Sequence, residues 1–214
     1  MELSKLIDSG YKSTKITMSF LKANTVSLIY PIPIVVLYIA IAFFFHVQRP
    51  DTVTSNFVSI RLESILWSLG LYLVGMIVLI VLHEFLHALF FLKGCENGWK
   101  SIKFGVKYLT PYCHCKEATT VSIARQSCLA PLWAVCLPLG VVAVATDLYF
   151  LHLLTVVMIF GSGADLWVVW KLRPYNGKTC YALDMEDEIG MTVFEPTQET
   201  GHEVLTPDTK ETDG

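Results

Sequence analysis

The run SILWSLGLYLVGMIVLIVLHEFLHALFFL, residues 64–92, decides how this chain is built. Residues 64–82 carry no charge, and about 20 apolar residues suffice for a helix to cross a bilayer core. The apolar run then continues through His83, Glu84 and His87 to Leu92. Ionisable groups are costly in hydrocarbon and are retained there mainly for function. One stretch therefore predicts both a membrane span and a site within it.

Working outward, uncharged runs also fill 23–48, 126–146 and 148–164, the last continuing past Asp165 as LWVVW. We expect spans at about 27–47, 65–92, 127–146 and 148–170. The last two meet at Asp147 and should form a tight helical hairpin. The composition agrees: 53% of the 214 residues are hydrophobic and 16% charged, where a soluble domain carries about 25% charged residues. The net charge of −3 suggests no nucleic-acid partner. The expected fold class is an all-α polytopic membrane protein, with about four transmembrane helices and a small strand-containing cytoplasmic loop.

Basic residues give an orientation. The N-terminal segment holds Lys5, Lys12, Lys15 and Lys22, and the first loop only Arg49 and Arg61. The second loop holds Lys93, Lys100, Lys103, Lys107, Lys116 and Arg125; the third turn has none. Lys171, Arg173 and Lys178 follow the last span. This alternation predicts a multi-pass protein of the cytoplasmic membrane with both termini cytoplasmic. The N-terminal residues lack the pattern of a secretory signal peptide.

Residues 1–194 are expected to form one membrane-embedded domain. The acidic stretch 195–214 reads as a disordered cytoplasmic tail. Between the second and third spans, WKSIKFGVKY alternates with period 2 and TPYCHCKEATT reads as a further extended piece. An extended substrate could add to the edge of such a strand. The six cysteines show no C-x-x-C pair and read as reduced thiols.

His83 and His87 stand at i and i+4 on one helix face, so their imidazoles can aim at one point. That is the two-histidine half of a zinc site, with Glu84 placed to take a proton from a polarised water. The bland alternative is that both histidines only hydrogen-bond to neighbouring helices or reach the interface. Catalytic zinc wants a third protein ligand and an open position. Asp165, in FGSGADLW, is the leading candidate, because Gly161, Ser162 and Gly163 should loosen the helix before it. It could instead be an interfacial residue capping a helix end. His114 is the runner-up ligand; it could also contact substrate or stabilise an oxyanion. On a strand, Cys113 and Cys115 point away from His114 and read as structural. Glu117 reads as a solvated loop charge. His46 and His152 fall at the far ends of their spans, away from the site.

HEFLHALFF, YCHCKEA, LAPLW, GSGADLWVVWKL and LDMEDEIGMTVFEP, in that order over about residues 65–195, resemble a bacterial family of membrane proteins described as putative zincin peptidases. More distantly the layout is similar to site-2 proteases, the intramembrane zinc proteases, although their Asp-Gly signature is missing around Asp165. The resemblance implies His83, His87 and Asp165 as zinc ligands and Glu84 as the catalytic glutamate. The function it suggests is a zinc metallopeptidase acting on a peptide bond in or beside the membrane. The competing readings are a non-catalytic zinc-binding membrane protein, structural or sensing, and, lowest, a metal transporter. A closed site with His114 as fourth ligand would favour the non-catalytic reading.

Overall fold

The structure, a computed structural model, describes residues 6, 9–49, 62–107, 110–186 and 188–197. Most of the predicted tail lies outside the described residues. The helices are α1 (Phe20–Ile29), α2 (Ile32–Val47), α3 (Leu62–Phe91), α4 (Val121–Pro131), α5 (Leu137–Thr146), α6 (Tyr149–Gly161) and α7 (Gly163–Leu172). The strands are β1 (Lys12–Met18), β2 (Ile102–Lys107), β3 (Thr110–Cys115), β4 (Thr119–Thr120), β5 (Tyr181–Asp184) and β6 (Ile189–Glu195).

The helices combine into four stretches long and apolar enough to cross a membrane: Leu21–Val47, Leu66–Gly94, Val121–Thr146 and Tyr149–Leu172. Three of them are interrupted. Pro31, which has no N–H to give, separates α1 from α2. A π-helical segment, Leu132–Cys136, joins α4 to α5 between Pro131 and Pro138. Ser162 leaves the helical region at ψ 6° and separates α6 from α7. Asp147 adopts the left-handed conformation, φ 57°, and makes the tight turn between α5 and α6.

These helices expose apolar side chains on a scale that water would not tolerate. Trp67 is 82% exposed and Phe43 66%. The length, the composition and this surface are compatible with membrane spans.

The strands go beyond the single loop expected from the sequence. β2 and β3 form the hairpin between α3 and α4, where the period-2 pattern placed it. A second, four-stranded antiparallel sheet has the order β1-β6-β5-β4. β1 pairs along its whole length with β6, Lys12 opposite Glu195 and Met18 opposite Ile189. An all-α description is therefore incomplete: the segments before the first apolar stretch and after the fourth form one sheet, joined by β4 just before the third. Met18, Met191 and Val193 of this sheet pack with Trp167, Val168 and Leu172 of α7 in one apolar core. The sheet thus caps the end of the bundle where α3 finishes and α7 lies.

Candidate metal centre

The motif residues occupy the last turns of α3. His83 and His87 are both buried, with ring centroids 4.8 Å apart and planes at 73°. The i, i+4 spacing puts the two rings edge to face, one turn apart on one face. Asp165 approaches from α7. Its Oδ2 is 3.3 Å from His83 Nε2 and 3.6 Å from His87 Nε2.

The break at Ser162 makes that approach possible. It starts a new helix at Gly163, so Asp165 lies in the first turn of α7, where the helix dipole favours a carboxylate. Gly163 also allows a close crossing: a Cβ there would fall 2.4 Å from Ser27 Cα on α1. The sequence reading put a loosened helix before Asp165, and a loosened helix is there.

His87 is held from behind. Its Nδ1 lies 2.9 Å from the Ser127 carbonyl oxygen on α4, so Nδ1–H donates to it and Nε2 is left on the side of Asp165. Ser127 Oγ–H in turn donates to the His87 carbonyl at 3.0 Å. Such an outer hydrogen bond fixes the orientation of a ligating imidazole. Glu84 accepts from the backbone N–H of Cys113 on β3, so the hairpin touches the motif directly.

His83, His87 and Asp165 each offer a ligand atom, all within 4.8 Å of one another. Two imidazoles and one carboxylate are a donor set that suits catalytic zinc, which keeps a further position open. Beside them lies a cavity of about 190 Å³, also lined by Glu84, Cys113 and His114. His114 shares this wall but does not belong to the converging ligand atoms. Its Nδ1 lies 3.2 Å from Asp184 Oδ2 at the end of β5. The same oxygen accepts the Cys115 backbone N–H at 3.2 Å.

Two participants escaped the sequence reading. Ser127 acts through its backbone carbonyl, which no residue type advertises. Asp184 is one acid in an acid-rich stretch, and only its place in LDMEDEIGMTVFEP set it apart. Glu117 needs a correction. It is buried rather than solvated, and it accepts from Glu96 N, Asn97 N and Ser101 Oγ. Those hydrogen bonds hold its carboxyl down at about 2. His46 and His152 lie away from the site, as expected. His46 meets Asp147 at 2.9 Å, and His152 meets Tyr38 at 2.6 Å.

Comparison with known proteins agrees with this chemistry. Residues 76–180 match the putative zincin peptidase family. The matched segment runs from the middle of α3 to the residue before β5. It takes in the motif, the hairpin and Asp165, and the zincin description implies zinc. Asp184 and β6 lie just beyond it. No curated protein and no solved structure matches the chain.

Proposed function

We propose that this protein is a zinc-dependent membrane metallopeptidase that hydrolyses peptide bonds in or next to the membrane. The observation that carries the reading is the convergence of His83, His87 and Asp165 beside Glu84 at the wall of one cavity. The family match supports a peptidase. The four apolar stretches support a multi-pass membrane protein, and the distribution of lysine and arginine supports cytoplasmic termini.

His83 Nε2, His87 Nε2 and Asp165 Oδ2 would hold the metal. When bound, zinc lowers the pKa of water towards neutrality and polarises a substrate carbonyl. Glu84 takes the proton from the attacking water and hands it to the leaving amine, a role typically contributing 10²–10⁴-fold. His114, held by Asp184, also lines the cavity and is suited to donate to the developing oxyanion. β3 has β2 on one side only, and its other side faces α3 and the cavity. An extended substrate lying along β3 would present its amide to Glu84.

The test is a cleavage assay in mild detergent with unstructured, membrane-anchored peptides. Activity should vanish with a chelator, return with zinc, and fall at least roughly 100-fold in Glu84→Gln. Cleavage that survives both the chelator and Glu84→Gln would refute the proposal.

A further inference from the structure

Cys95 and Cys115 stand apart from the motif chemistry, yet their sulfurs are 3.2 Å apart. No other pair among the described cysteines has its sulfurs in hydrogen-bonding contact. Cys95 follows the short turn Leu92–Gly94 that ends the motif helix. Cys115 ends β3 and is fully buried, whereas Cys95 is half-buried and reachable from solvent.

Their closeness is imposed by the surroundings. Glu117, two residues after Cys115, collects Glu96 N at 2.9 Å, Asn97 N at 3.1 Å and Asn97 Nδ2 at 3.0 Å, all just after Cys95. Lys116 N donates to the Ser101 carbonyl at 2.9 Å. The chain just after Cys95 is thus clamped to the chain just after Cys115. We infer that Cys95 and Cys115 form a reversible disulfide site, which would staple the end of the motif helix to the strand carrying Cys113 and His114.

The two sulfurs are also unequal. Contact with Cys115 lowers the Cys95 pKa; the same contact and burial raise that of Cys115. Cys95 is the attacking sulfur and Cys115 the resolving one. With a peroxide as oxidant, the Cys95 thiolate attacks one oxygen, the O–O bond breaks, and the other oxygen leaves as water after taking a proton. Cys95 is then a sulfenic acid. The Cys115 sulfur attacks the Cys95 sulfur, the S–S bond forms, and the S–O bond breaks with loss of a second water. The thiols lose two electrons and the peroxide gains them.

The site is tested on the full chain, purified in mild detergent under reducing conditions. The protein is treated with hydrogen peroxide, remaining thiols are blocked with N-ethylmaleimide, and tryptic peptides are weighed. Peptide 94–100 should be joined to 108–116, short of a pair of hydrogens, with loss of both maleimide adducts at Cys95 and Cys115. Dithiothreitol should restore both adducts. Cys113→Ser should keep the link, and Cys95→Ser should abolish it. Recovery of both alkylated thiols from peroxide-treated wild type would overturn the site. So would a link running through Cys113, or overoxidation of Cys95 without cross-linking. Because wild type decides the result, misfolding of a variant cannot mask it. Loss of peptidase activity in other tests would not bear on it.

Discussion

His87 and Ser127 hold each other twice: the imidazole Nδ1–H donates to the Ser127 carbonyl at 2.9 Å, and Ser127 Oγ–H donates to the His87 carbonyl at 3.0 Å. Only the first bond orients the ring. Ser127→Ala removes the second and keeps the first. It should lower thermal stability by about 1 kcal/mol while leaving zinc stoichiometry unchanged. Loss of metal from a folded Ser127→Ala protein would show that the hydroxyl, not the carbonyl, sets the imidazole.

Asp184→Asn weakens the support of His114 and the anchor of the Cys115 N–H without touching the ligand atoms. Cleavage should fall roughly 10–100-fold, the range for losing an outer partner of a site group. Metal content should stay at the wild-type level, and His114→Ala should give a similar loss. If Asp184→Asn cost metal rather than turnover, Asp184 would belong to the metal centre itself.

Glu117 gives a pH dependence. Its carboxyl is lowered from its ordinary value near 4.5 to about 2, chiefly by the Ser101 hydroxyl and then by the amides of residues 96 and 97. A depressed folded value contributes stability that is complete above the ordinary value and is lost as pH falls through about 2. Amide exchange at Glu96 and Asn97 should therefore accelerate between pH 4.5 and 2 relative to exchange in α4. Glu117→Gln should accelerate it already at pH 7 and flatten the acid response. An unchanged profile in that variant would rule out Glu117 as the anchor of the loop.

Much of the candidate site was legible because its signals are local. His83, Glu84 and His87 announce themselves by one-turn spacing in an oily run, and Asp165 by the Gly-Ser-Gly break before it. The β2–β3 hairpin showed its period-2 pattern. The larger sheet did not, because β1 is a short polar strand whose partner, β6, lies at the far end of the chain. Pairing across that distance leaves no mark on either segment alone. Glu117 was misread for a related reason: its donors reach it only once the loop 96–101 folds back.

At Gly163 α7 passes against α1 with no room for a Cβ before Ser27. Gly163→Val should push the helices apart and destabilise the protein by about 1–3 kcal/mol. Because Asp165 follows in the same turn, metal retention should drop as well. Gly161→Ala, where a Cβ meets nothing within 4 Å, should be tolerated. Thermal unfolding of the two variants in one detergent separates these outcomes, and equal loss in both would contradict the close-approach argument.

On the proposed function, His83, His87 and Asp165 hold one catalytic zinc while Glu84 does chemistry without holding it. The most direct measurement is zinc per chain in purified wild type, His83→Ala, Asp165→Ala and Glu84→Gln. About one zinc is expected in wild type and Glu84→Gln, as a single catalytic site requires, and near none in the two ligand variants. A folded wild type that takes up no zinc when zinc is supplied would contradict it.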